Sequence, residues 1–258
     1  MKKFRTIAMA LCAIAVGACE KNAVQDITGS LPGSAIKYFN FAINAPSVNF
    51  YANDTKMTGV LSSTGAEAVT GTAFGSVGSN GLYSAIAPGS YTMSARITAV
   101  VDKDLAIATA PATLVDGKAY SFYTSGIYDP VTKKSDAFVV EDPIVDSFDY
   151  TVAYVRFVNA SHNSSPMTLY AKAASPATTP EVAIGGLVAY KTAGAFTAIP
   201  GGSYDINTRV AGSSTQAVTR SAVSFNLGKV YTITLRGDMT VTSTTAANRP
   251  FLDNTANR

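Results

Sequence analysis

The chain of 258 residues carries a formal net charge of +3, and only 14% of its residues are charged. Lys2, Lys3 and Arg5 supply the whole excess: without them 17 basic side chains face 17 acidic ones. A nucleic-acid partner, which needs a basic stripe or patch, is not expected, and a single histidine, His162, excludes a histidine metal cluster.

The chain opens with the basic segment Met1-Lys-Lys-Phe-Arg5, continues through an uncharged run from Thr6 to Ala18, and reaches Cys19. Basic, apolar and processing regions in that order read as a signal peptide over residues 1–18. The run is too short for a transmembrane helix, which needs about 20 apolar residues. Val16-Gly17-Ala18-Cys19 resembles the bacterial lipobox. That resemblance implies that Cys19 is diacylated, as with palmitate, and becomes the new N-terminus, whereas Cys12, preceded by Leu11, does not fit. Cleavage would remove Cys12 and leave no internal disulfide. The alternative is ordinary secretion of a soluble chain, but an exported thiol without a partner is exposed to oxidation. Two acyl chains suffice for stable anchoring, each buried CH₂ contributing about 0.8 kcal/mol. Glu20 follows the cysteine where an aspartate is the inner-membrane retention signal, so the expected localisation is the outer membrane. Residues 19–35 read as the lipidated cysteine and a flexible leader.

The body repeats itself. Ile86-Ala-Pro-Gly-Ser-Tyr-Thr-Met-Ser-Ala-Arg96 aligns with Ile199-Pro-Gly-Gly-Ser-Tyr-Asp-Ile-Asn-Thr-Arg209, and Gly117-Lys-Ala-Tyr120 with Gly228-Lys-Val-Tyr231. Asn44-Ala45 corresponds to Asn159-Ala160, and Phe50-Tyr51 to Leu169-Tyr170. A period of about 113 residues suits a tandem domain, not a solenoid. Apolar residues alternate in Tyr91–Ile97, Tyr204–Val210 and Tyr231–Arg236, which predicts strands with one face buried and the other in water. Pro88-Gly89 and Pro200-Gly201 mark turns before two of them. No useful amphipathic helix follows residue 19. The expected fold is all-β: two tandem immunoglobulin-like or transthyretin-like antiparallel β-sandwich domains after the signal peptide. Repeat 1 covers 36–141, an acidic linker 142–150, repeat 2 151–240, and a polar tail without periodicity 241–258.

Tyr120 and Tyr231, each three residues after a turn glycine, resemble the tyrosine corner of immunoglobulin-like sandwiches, whose phenol bonds back to upstream backbone. That role is structural. Together with Tyr154-Val-Arg-Phe-Val-Asn-Ala160, Tyr170, Ile199–Tyr204 and Gly71–Val77, these motifs resemble domain of unknown function family 4397, over roughly residues 36–236. The resemblance implies secreted or lipoprotein sandwich modules, often in tandem, with no established catalytic residues. Lys37-Tyr-Phe-Asn40 departs from the family's usual first strand.

Chemistry is sparse. His162 lies in the polar loop Ser161–Ser165 and reads as solvated. Ser34-Ala-Ile-Lys37 has the Ser-x-x-Lys spacing without the helix start and partner motifs that make it a nucleophile. Gly75, Gly78 and Gly81 suggest a flexible loop, since no βαβ context supports a phosphate cradle. Asp136, Glu141, Asp142, Asp146 and Asp149 read as a solvated linker, with calcium as the sharper alternative. Thirteen tyrosines fit strand cores, and any on loops would suit sugars or protein partners. No catalytic, cofactor-binding or metal residue is expected, and the chain is read as a non-enzyme. The expected function is a lipid-anchored envelope lipoprotein that binds or scaffolds a protein or glycan partner; the alternatives are a glycan-binding surface protein and a carboxylate-based hydrolase.

Overall fold

The computed structural model describes residues 33–59, 64, 70–143, 145, 147–176 and 178–257. Cys19, the signal peptide, the leader up to residue 32 and Asp146 lie outside them. Gly33–Arg258 forms one unit, so both copies belong to the same body.

The first copy comprises β1 (Ser34–Asn40), β2 (Val48–Ala52), β3 (Thr55–Lys56), β4 (Ser76–Val77), β5 (Ser84–Ile86), β6 (Gly89–Ile97), β7 (Ala106–Leu114), β8 (Ala119–Asp129) and β9 (Lys134–Asp142). The second comprises β10 (Ala153–Asn159), β11 (Met167–Ala173), β12 (Val182–Val188), β13 (Thr192–Ala193), β14 (Thr197–Ile199), β15 (Gly202–Val210), β16 (Val218–Phe225), β17 (Val230–Arg236) and β18 (Phe251–Ala256). Among the described residues the helical content is a 3₁₀ turn at Gly78–Gly81.

Each copy is a sandwich of two sheets with the same connectivity. One sheet runs β3-β2-β6-β7 in the first copy and β12-β11-β15-β16 in the second. The other places β1 between β8 and the short strands β4 and β5, with β9 outside β8; β10, β17, β13, β14 and β18 repeat this arrangement. The repeat read from the sequence is therefore a repeat of topology. Among the described residues the pairings between these strands are antiparallel except two: β1 lies parallel to β8, and β10 to β17. The all-β, predominantly antiparallel sandwich architecture expected from the sequence is present, with these two parallel pairs as its exceptions. The chain passes through both sheets between the paired strands, which gives the long crossover that parallel neighbours need.

Alternation supplies the cores. Ile36, Phe50, Met93, Ile107 and Phe122 fill the first sandwich, and Val155, Leu169, Ile206, Val223 and Ile233 fill the second. Gly117 and Gly228, with φ of +72° and +66°, turn the chain into β8 and β17 through a left-handed conformation that favours glycine. Just beyond them the backbone N–H of Val115 donates to the Tyr120 phenol at 3.1 Å, and that of Asn226 to Tyr231 at 3.0 Å. Both phenols thus bond back to the chain five residues upstream.

β1, β8, β10 and β17 are buried on both faces, because the two copies pack against each other through these sheets. Phe39, Phe41, Tyr123 and Phe138 of the first copy meet Val158 and Ala160 of the second in a third apolar cluster. Three expectations change as a result. The polar face of Tyr231–Arg236 does not meet water: Thr232 is 1% and Thr234 0% exposed. The linker expected over 142–150 begins one residue late, since Asp142 ends β9 and is buried. The tail expected to lack structure contributes β18, which pairs with β17 from Tyr231↔Ala256 to Arg236↔Phe251 and places Leu252 in the core. Hydrogen bonding along β17 and burial of Leu252 outweigh the weak strand propensity of Asp253, Asn254 and Ala256.

Candidate binding cleft between the copies

Strand registers identify which residues correspond. Lys37 lies opposite Ser121 in β8 as Arg156 lies opposite Thr232 in β17, which makes Asn40, and not Asn44 as expected from the sequence, the counterpart of Asn159. Tyr120 faces Glu141 as Tyr231 faces Ala256, so Asp142 corresponds to Asn257. Ile36↔Ser84 and Val155↔Thr197 make Tyr83 the counterpart of Phe196.

The contacts across the junction are reciprocal in these terms. Lys37 Nζ donates to the Ala256 carbonyl at 2.7 Å, and Arg156 Nη1 to the equivalent Glu141 carbonyl at 2.8 Å. Lys37 sits over the Tyr83 ring at 4.3 Å, and Arg156 over the Phe196 ring at 5.1 Å. Val77 and its counterpart Ala193 both pack on the shared apolar cluster. This is the pattern of an isologous interface, in which one patch meets its own equivalent across a two-fold relation.

The two halves differ in charge. Arg156 is 0% exposed and pairs with Asp142. Asp142 also accepts from the Tyr83 phenol at 2.6 Å and from Ser121 Oγ at 2.7 Å. Arg156 Nε is bonded to Thr232 Oγ1, which also accepts from Asn257 Nδ2. Asn257 holds the place where a second carboxylate would face Lys37. The cluster therefore contains two cations and one carboxylate. Burial pushes the Lys37 ammonium down to about 8; the Asp142 carboxylate opposes that shift and Arg156 adds to it. Burial, and then the Asp142 carboxylate, hold the Tyr83 phenol far above its ordinary range, so it stays protonated.

Over this cluster opens a cleft of about 280 Å³. Equivalent residues line it in pairs, Tyr83 with Phe196, Ala119 with Val230 and Asp142 with Asn257, while Pro143, Val145 and Phe148 of the connecting segment add an apolar wall. Its chemistry is that of a small-molecule site: mostly apolar walls with a few fixed polar groups. Asp142 is the carboxylate among its lining residues, and its oxygens already accept from Arg156, Tyr83 and Ser121.

The other residues singled out by sequence are dispersed. Cys19 lies outside the described residues. Ser34 Oγ donates to the Val115 carbonyl, and Ser34 and Lys37 stand on opposite faces of β1, so they do not form a nucleophilic pair. The glycine-rich segment expected to be a loop contains β4 and the 3₁₀ turn, with Gly78 packed against Tyr38 and Phe50. His162 is half-buried rather than solvated, and its Nδ1 has no hydrogen-bond partner among the described residues. The acidic residues go separate ways: Asp136 to Lys191, Glu141 to Lys118, Asp142 to Arg156, and Asp149 to the Thr151 hydroxyl and N–H. Among the described residues no three potential metal ligands converge. Tyr150 is 66% exposed, while the other tyrosines are buried or half-buried.

The charged pair Lys37 and Arg156 was not recognised from sequence as a site. Its signal was present: one basic residue within each first strand, flanked by apolar or aromatic residues, at equivalent positions. Compared with models of known families the chain matches none, and a search of curated proteins finds no match.

Proposed function

We propose that the chain is a non-enzymatic lipoprotein of the cell envelope, held at the outer membrane by acyl chains on Cys19, and that its paired sandwiches act as one binding module. The observation that carries the binding part is the cleft itself: both copies build it, its walls are apolar, and its polar floor is already internally bonded. A fixed floor under an apolar cavity favours holding a small, largely apolar ligand over moving protons or bonds. The lipobox-like Val16–Cys19 supports anchoring. Membership of domain of unknown function family 4397 is part of the proposal, supported by the two tyrosine bonds to upstream backbone and the repeated turn-strand motifs.

Two experiments test the reading. Labelled palmitate is expected to enter the wild-type chain and not Cys19→Ala, with the wild type recovered in outer-membrane fractions; label retained by Cys19→Ala would remove the anchor. For the cleft, an apolar polarity-sensitive fluorophore is expected to bind the full chain in detergent micelles, with the signal of protein-free micelles subtracted, and to bind Val145→Arg roughly tenfold more weakly. Equal binding by both would remove the cleft from the account.

A further inference from the structure

A second site lies in the second copy, away from the junction cleft. Three arginines surround the Phe251 ring: Arg220 of β16, Arg236 of β17 and Arg249 just before β18, each with its guanidinium carbon 5.2 Å from the ring centroid. Each is held in place. Arg236 pairs with Asp253, Arg220 Nη1 donates to the Leu252 carbonyl at 2.7 Å, and Arg249 Nη1 to the Ala246 carbonyl at 3.0 Å. The segment carrying Arg249 is fixed by a close approach: Gly237 has a φ of +95°, and a Cβ there would stand 2.1 Å from the Arg249 carbonyl oxygen.

Charge does not balance in this cluster. Asp253 feels all three guanidiniums, and among the described residues neither Arg220 nor Arg249 forms an ion pair. Each of these two donates to a single backbone carbonyl, whereas a guanidinium carries five N–H donors in a fork that fits an oxyanion. Beside Arg249 and Phe251 runs an open groove of about 520 Å³, whose lining includes Thr219, Thr242, Ser243 and Thr244 together with an apolar side formed by Met239, Val241 and Pro250. A held guanidinium beside hydroxyl-bearing residues and an apolar side matches a ligand with an oxyanion, hydroxyl groups and an apolar ring face.

We propose that this groove binds an acidic saccharide, with Arg249 gripping its carboxylate or phosphate oxygens, Arg220 adding positive charge from beside the Phe251 ring, and the Ser and Thr side chains of the lining meeting its ring hydroxyls. The inference deepens the binding-protein reading, with arginines in place of the loop tyrosines that the sequence suggested. It does not depend on the junction cleft.

The test is titration calorimetry at low salt on the full chain in neutral detergent micelles, with four probes: oligogalacturonate, glucose 6-phosphate, a neutral glucose oligomer and inorganic phosphate. At least one acidic sugar is expected to bind, and the first two probes distinguish a uronate from a sugar phosphate as the source of the oxyanion. The neutral oligomer is expected to give no heat. Affinity is expected to fall roughly tenfold or more in Arg220→Ala/Arg249→Ala. Ser243→Glu, which leaves both arginines in place and adds a negative charge to the groove, is expected to weaken binding similarly and decides the matter if the double variant does not fold. Val145→Arg, at a partly buried position of the cleft wall outside the strands, is expected to leave this binding unchanged, which separates failure of one site from failure of the other. Binding of neither acidic sugar, binding of inorganic phosphate alone, equal binding of the neutral oligomer, or undiminished binding in Ser243→Glu would overturn the proposal.

Discussion

Lys37 and Arg156 occupy the same position in the two copies, and each donates a hydrogen bond to the same carbonyl position in the last strand of the other copy. The symmetry holds for backbone and apolar contacts and breaks at one carboxylate, because Asp142 corresponds to Asn257. Arg156 therefore has an ion partner, and Lys37 has a carbonyl and an aromatic face.

The buried pair is expected to be strongly coupled. Removing one partner leaves the other buried and uncompensated, at a cost of about 3–5 kcal/mol. Arg156→Met and Asp142→Asn should each lower stability by that order in urea denaturation. The double variant should lose much less than the sum of the two, because neither charge remains. Additive losses would show that the pair does not interact.

Lys37 gives a pH signature. Its folded pKa of about 8 lies below the ordinary 10.5, so between those values the folded chain holds fewer protons than the unfolded one. Stability therefore rises with pH across that window, and the destabilisation from the buried ammonium is fully present below about pH 8. The buried phenols of Tyr83 and Tyr123 act in the opposite sense: their folded pKa values are raised, so the folded chain holds more protons above about pH 10 and stability falls there. Urea midpoints measured from about pH 7 to 9.5 should show the wild type gaining on Lys37→Met. Parallel profiles would contradict this.

Tyr120→Phe and Tyr231→Phe should each cost about 1 kcal/mol, since each removes the acceptor of one backbone N–H. The phenols belong to different copies and share no partner, so the two losses should add. The check is the denaturation midpoint of both single variants and the double variant, and an unchanged midpoint in either single variant would remove the corner role from that tyrosine.

Gly237→Ala should destabilise by more than about 1 kcal/mol, because the position combines a positive φ with backbone contact to Arg249. Melting temperature would register the loss, and acidic-sugar affinity should fall with it. Normal stability in this variant would mean that the Arg249 segment is held by other contacts.

Turn chemistry and strand period were readable because they are local. Gly117-Lys-Ala-Tyr120 and Gly228-Lys-Val-Tyr231 carry their own geometry, and Ile86–Arg96 aligns with Ile199–Arg209 without reference to anything distant. What covers a strand's second face is not local. Thr232 and Thr234 read as water-facing because alternation separates the faces of a strand but does not reveal that another sheet lies on the polar one. Asp142 was hidden among acidic neighbours, although Arg156 neutralises it from the next copy. The cleft could not be seen at all, since Tyr83, Phe196, Asp142 and Asn257 come together only through the packing of the copies.

The most direct test of the central claim, that the two copies form one body across a buried reciprocal junction, is differential scanning calorimetry of the full chain. A single transition is expected, with calorimetric and van't Hoff enthalpies equal and its midpoint lowered as a whole by Arg156→Met. Two resolved transitions, with Arg156→Met shifting only one of them, would contradict it.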